Sequence, residues 1–191
     1  MIPNLVLAST SPRRLELLAR IGVVPARLAA PDIDEDPLKA EEPRPYVLRI
    51  VTAKALAVER AADEVILAGD TTIAVGRRIL GKPADEADLR RMLGLLSGRR
   101  HHCYSAVCAI GADGKARTRV SDTVVAFKRL TSAEIDWYVA SGEGMGKAGG
   151  YAIQGKAESF VRFLSGSHSG VVGLPVFETR ALLASAGLDL G

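Results

Sequence analysis

Three hydroxyls and two arginines crowd the end of an apolar run in "LVLASTSPRR", Leu5 to Arg14. Leu5 to Ala8 reads as a short buried strand, and Pro12 suits the first turn of a helix. Ser9, Ser11 and Arg13 therefore stand where a strand opens into a helix. Backbone N–H groups and the helix dipole favour an anion there. A guanidinium adds two-pronged recognition of phosphate. An N-capped helix with its arginines in solvent accounts for the same residues equally well. The glycines and the lysine of a Walker loop are missing.

Further along, "PDIDEDPLKAEEPRP" is an acidic loop broken by prolines. Its Asp32, Asp34, Glu35 and Asp36 offer oxygens to a hard divalent cation, or simply a solvated surface. Lys54 falls on the apolar face of the helix that follows, among Val47, Ile50, Val51, Ala55 and Val58. A buried ammonium needs a partner, so its stem either snorkels outward or reaches an anion in a cleft. In "ILAGDTT" a carboxylate, Asp70, ends an apolar run. Metal ligation or general-base work explains such a residue, and so does a turn-forming Asp. Lys82 follows soon after and could return to the same place. In "KAGGYAIQG" paired glycines let backbone approach a ligand, and the Gln154 amide can both donate and accept against a nucleobase edge. A structural turn with a surface Gln is the plainer reading.

The elements that must position these groups alternate between strand and helix. Leu15, Leu18 and Ile21 mark a first helix stopped by Gly22. Residues 26–30 suggest a second strand, and Pro45 opens a helix expected to run to about Ala62. "VILAGDTTIAV" suggests two strand segments around a polar interruption. A helix follows over Glu86 to Leu96. Two long strands, "HHCYSAVCAIG" and "RVSDTVVAFKRL", form a hairpin through Ala112–Lys115. Thr131 and Glu134 make a capping box. "SFVRFLSGS" suggests a strand, and a final helix is expected over Pro175 to Ala186. The long hairpin fits a purely parallel doubly wound sheet poorly. The expected class is therefore α/β, with a mixed sheet and flanking helices.

At 191 residues one domain is expected over 1–191, with room for two lobes around a cleft. Hydrophobic residues make up 48% and charged residues 25%, enough for an apolar core. The net charge of +3 comes from scattered pairs such as Arg90/Arg91 and Arg99/Arg100. Such scatter suits a small anionic substrate and argues against nucleic acid. No apolar run reaches the length of a membrane span, and the N-terminus lacks the pattern of a signal peptide. Cys103 and Cys108 point to a reducing compartment, hence a cytoplasmic location. On one strand, residues five apart face opposite sides, so the two sulfurs cannot easily share a metal.

In order along the chain, "LASTSPRR", "DIDE", "TAKA", "AGDTTIAV…ILGKP", "LSGRRHHCYSAV", "KAGGYAIQG" and "GSHSGVVGLP" resemble the Maf family, historically labelled septum-formation inhibitors. The resemblance spans nearly the whole length. It implies an inosine triphosphatase-like fold, usually as a homodimer. The implied activity is metal-dependent hydrolysis of a nucleoside triphosphate to the monophosphate and pyrophosphate. The cofactor would be Mg²⁺ or Mn²⁺, with no nucleic acid or membrane partner. By the same resemblance Asp70, Lys54 and Lys82 are expected to be catalytic. Ser9, Ser11, Arg13, Arg14, Thr71 and Gln154 would bind substrate, and Glu35 and Asp70 the metal. Asp70 is thus a metal ligand or the base that activates water. "GGYAIQG" looks like the branch that cleaves dTTP and UTP, and modified pyrimidines fall within that expectation. A non-enzymatic nucleotide- or nucleic-acid-binding regulator of cell division is the rival reading. Two departures from the family pattern stand out. Ala-Gly-Asp-Thr replaces Gly-Ala-Asp-Thr, which could loosen the strand end beside Asp70. His168 stands where an aromatic is expected.

Overall fold

The structure is a computed structural model that describes residues 4–188 and 190. Residues 1–3, 189 and 191, which the expected 1–191 span includes, lie outside the described residues. In chain order the strands are β1 (Asn4–Ala8), β2 (Arg27–Leu28), β3 (Glu64–Val75), β4 (Arg78–Leu80), β5 (Arg100–Ile110), β6 (Ala116–Phe127) and β7 (Val161–Ser165). The helices are α1 (Pro12–Arg20), α2 (Pro43–Leu56), α3 (Glu86–Leu96), α4 (Ser132–Ala140), α5 (His168–Val172) and α6 (Val176–Ser185). The strands form one seven-stranded sheet in the order β2-β1-β3-β5-β6-β7, with β4 paired to β3. β1 runs parallel to β2 and β3, and the other pairings are antiparallel, so the sheet is mixed as expected.

Alternation along the strands sorts the core into two layers. On one face α2 covers the sheet, packing Val47, Val51 and Ala55 on Val6, Ala8, Ile66, Ala68 and Ala106. The other face carries the larger core, built on Leu5, Leu7, Leu67 and Val107 and closed by side chains of α1, α3, α4 and α6. Cys103 belongs to the larger core and Cys108 to the smaller one, on opposite faces as strand geometry requires.

Local chemistry explains where elements begin and end. Thr131 Oγ1 accepts from the Glu134 N–H, and the Glu134 carboxylate accepts from the Thr131 N–H, so the capping box is complete. α2 stops at Leu56, short of the expected Ala62. The carbonyls beyond are taken by arginines: Arg27 bonds Glu59 O, and Arg60 bonds Ala61 O and Ala62 O. β3 is one twelve-residue strand and not two segments. Its polar centre stays paired in the ladder, Asp70 with Ala106 and Thr71 with Ser105, and both Asp70 and Thr71 border a cavity. The strand expected at "SFVRFLSGS" begins later. Residues Lys156–Phe160 form a 3₁₀ turn in which Ser159 Oγ donates to Lys156 O, and Phe160 is buried against Tyr138 and Phe127. In α1 the buried stripe is Leu17 and Leu18, while Leu15 is exposed.

Candidate active site

At the carboxyl end of β1 the sheet opens into a cavity of about 890 Å³, a size usual for small-molecule sites. β1 and β3 run parallel with Ala8 beside Ala68, so the loop after β1 and the carboxylate of Asp70 reach the same opening. Ile66 and Ala68 of β3 pack under α2, and Asp70 continues that face one step beyond the apolar contact. Lys54 lies in the last turn of α2, a turn below Ile50, with its stem buried.

Its ammonium reaches a cleft. Lys54 Nζ is 2.7 Å from Asp70 Oδ1 and 3.0 Å from Glu35 Oε1. The Asp70 side chain is 9% exposed and that of Glu35 45%, so one carboxylate is held deep and the other at the rim. The acidic loop divides accordingly. Asp32 and Asp34 are exposed and do not line the cavity, Asp36 is exposed at its edge, and Asp34 Oδ1 accepts from the Asp36 N–H. Glu35 turns inward, its carbonyl accepting from Tyr46 Oη at 2.8 Å. Burial, aided by Asp70 and Glu35, pushes the Tyr46 phenol up to about 12, so it remains a donor.

The opening stretch forms the opposite wall. Ser11 is the N-cap of α1 but its side chain makes no capping bond, and no acidic residue sits in the first turn. The positive end of α1 thus faces the cavity without its own counter-charge. Ser9 Oγ accepts from the Ser11 N–H at 3.2 Å and from Arg14 Nη1 at 3.0 Å. Arg13 Nε donates to Val172 O and Arg14 Nε to Gly173 O, which ties the loop to the end of α5. Burial lowers the pKa of both guanidiniums, and for Arg14 the charge of Asp70 offsets only part of that lowering.

The remaining expected residues line the same cavity. Thr71 Oγ1 lies 3.2 Å from Ser105 Oγ across the β3–β5 pair. Lys82, exposed, comes from the loop after β4, and Gln154, also exposed, from the segment after the glycines. The structure therefore brings together every residue expected at the site, from widely separated stretches of chain. Lys147 and Tyr46 also line the cavity and were not among the expected site residues. Lys147 opens the "KAGGYAIQG" stretch, where its charge was the available signal; burial and the charge of Arg13 lower its pKa. Tyr46, two turns before Lys54 on α2, carried no signal beyond that spacing.

The two departures have different outcomes. Gly69 pairs with Val107 within a continuous strand, so the strand end is not loosened. A Cβ at Gly69 would lie 3.1 Å from Arg14 Nε and 3.2 Å from Leu174 Cδ1, so the glycine makes room for Arg14. His168 is exposed at the start of α5 and does not line the cavity.

Among the described residues no group of three or more His, Cys, Asp or Glu side chains could by itself hold a metal ion. Glu35 and Asp70 make a two-carboxylate set. That donor chemistry fits a hard cation such as Mg²⁺ that keeps waters and takes phosphate oxygens as further ligands. No helix among the described residues is long and apolar enough to cross a membrane.

Residues 4–186 match the family described as Maf-like protein. A dTTP/UTP pyrophosphatase of Sphingopyxis alaskensis is 77% identical over 190 residues, covering 100% of both chains. One of Novosphingobium aromaticivorans is 58% identical, covering 98% of this chain and 94% of its own. A solved nucleoside-triphosphatase, dITP/XTP pyrophosphatase, of Mycobacterium abscessus aligns at 17% identity with a TM-score of 0.41, over 68% of this chain and 75% of that one. With its loop, lysine, aspartate and glycine-rich stretch gathered around one cavity, and with relatives this similar end to end, the chain belongs to the Maf-like protein family.

Proposed function

We propose that this protein hydrolyses dTTP and UTP, and modified pyrimidine triphosphates of the same shape, to the monophosphate and pyrophosphate. The observation that carries the proposal is the convergence of two carboxylates, Glu35 and Asp70, with Lys54, Lys82, Arg13 and Lys147 in one cavity. A cavity rich in cations suits a triphosphate, and the carboxylates suit a divalent metal and a base. The names of the similar enzymes from Sphingopyxis and Novosphingobium support the substrate class.

Glu35 and Asp70 would hold the divalent cation together with phosphate oxygens and water. When bound, that cation would draw negative charge from the phosphates and favour the leaving group. The chain's own groups do the rest. Asp70, the deeper carboxylate, takes the proton of the attacking water. The water oxygen bonds to the α-phosphorus, the bond from that phosphorus to the bridging oxygen breaks, and pyrophosphate leaves with the electron pair. Arg13, Lys82 and Lys147 balance the charge that grows on the phosphate oxygens. Lys54 holds both carboxylates in register and offers its ammonium to the phosphates. Gln154 reads the pyrimidine edge. A purine leaves that amide unpaired, which disfavours it.

Purified protein with Mg²⁺ and a panel of nucleoside triphosphates tests the proposal through pyrophosphate release. Release from dTTP and UTP above the purine triphosphates supports it. Nucleotide binding without release of pyrophosphate would favour the regulator reading.

A further inference from the structure

His101 is a fully buried histidine on β5 with no place among the cavity-lining groups. Its Nε2 lies 2.9 Å from Tyr151 Oη, while its Nδ1 has no hydrogen-bond partner. Its ring packs edge-on against Phe127 and Tyr151. Burial and the neighbouring His102 lower its pKa to about 4, so it is neutral near pH 7. A phenylalanine would fill this space and leave no nitrogen unpaired, so packing alone does not account for the residue. What histidine adds is one hydrogen bond, and that bond ends on Tyr151.

Tyr151 itself is extended, with φ −147° and ψ 156°. After Tyr151 the chain turns, the Gly155 N–H donating to Ala152 O; Tyr151 and Ile153 belong to the core, while Ala152 and Gln154 line the cavity, which Tyr151 also borders. A second buried hydroxyl holds the same stretch: Tyr138 Oη of α4 accepts from the Ala152 N–H at 3.1 Å. Just upstream, the Gly149 N–H donates to Gly81 O, next to Lys82.

We infer that His101 and Tyr138 are positioning residues that fix the base-reading stretch Tyr151–Gln154 from beneath, and so set pyrimidine selectivity. The inference rests on the base-reading role proposed for Gln154. Neither residue lines the cavity; Tyr138 holds the backbone of this segment directly, and His101 holds it through the Tyr151 side chain. Loss of either anchor lets Gln154 drift, and an amide displaced by a fraction of an ångström discriminates poorly while the phosphate machinery is left in place.

The experiment compares kcat and KM for dTTP and dGTP in the wild type and in His101→Phe, His101→Gln, Tyr138→Phe and Gln154→Ala. The expected result for His101→Phe and Tyr138→Phe is a selectivity for dTTP lower by about tenfold, carried by KM, with kcat within about threefold. His101→Gln, whose amide can still bond the phenol, should recover most of the selectivity. A purely structural role would lower the melting temperature and leave the dTTP-to-dGTP ratio of the folded enzyme unchanged, and that result overturns the inference. Should His101→Phe fail to fold, Tyr138→Phe, which removes only a hydroxyl, decides by the same ratio. If Gln154→Ala itself keeps full selectivity, the base-reading role fails and the inference falls with it. If Gln154→Ala loses selectivity and the anchor variants keep it, the inference alone fails.

Discussion

The Lys54 ammonium lies 2.7 Å from Asp70 Oδ1, in a pair whose side chains are each 9% exposed. Lys54→Met would leave the Asp70 carboxylate buried without that partner. Breaking a buried pair from one side costs about 3 kcal/mol or more, which lowers the melting temperature by about 10 °C in a chain of this size. The double variant Lys54→Met/Asp70→Asn should recover part of the loss, because no charge is then stranded. Thermal unfolding of the single and double variants measures both effects.

Gly69 gives Arg14 its path beside β3. Gly69→Ala would bring a methyl to 3.1 Å from Arg14 Nε and 3.3 Å from its Cδ. Arg14 and Leu174 must then give by a few tenths of an ångström, which disturbs the Arg14 contacts with Ser9 Oγ and Gly173 O that hold the loop after β1. The expected outcome is a folded enzyme with kcat/KM for dTTP reduced by about tenfold. Steady-state kinetics with circular dichroism checks it.

Removing divalent cations should stop turnover and spare the fold. Glu35 and Asp70 are the carboxylates that would hold the cation, and the Lys54 ammonium bridges the same two groups, so part of their charge stays offset when the ion leaves. Chelation should therefore abolish pyrophosphate release, lower the melting temperature by no more than about 2 °C, and be reversed by Mg²⁺. A parallel assay and melt with and without chelator tests this.

Acid should destabilise the fold through His101. Its folded pKa, lowered to about 4 by burial and His102, lies below the ordinary value of 6.5. Between those values the unfolded chain binds the proton and the folded one does not, so stability falls as pH drops. The contribution is complete above about pH 6.5 and is lost progressively toward pH 4, reaching about 3 kcal/mol. Denaturant melts across this range should show a shallower slope for His101→Phe than for the wild type.

Much of this arrangement was legible in the sequence because it follows short periods. The Thr131–Glu134 capping box, the β5–β6 hairpin and the opposed faces of Cys103 and Cys108 follow from local rules, and all three are observed. The open choice at Lys54 was decided by partners distant in the chain, Glu35 and Asp70. α2 ends at Leu56, and just past it Arg27 of β2, distant in the chain, binds the Glu59 carbonyl. Tyr46, Lys147 and His101 were passed over for the same reason. A tyrosine on a helix, a lysine among glycines and a histidine in a strand acquire their roles only from what folds against them.

The step proposed for this cavity is attack of water at the α-phosphorus, with Asp70 receiving its proton. Hydrolysis of dTTP in heavy-oxygen water, followed by mass analysis of both products, tests it most directly. The label is expected in dTMP and not in pyrophosphate, with the rate reduced by about a thousandfold or more in a folded Asp70→Asn variant. Label in pyrophosphate, release of orthophosphate in its place, or an unimpaired Asp70→Asn enzyme would contradict it.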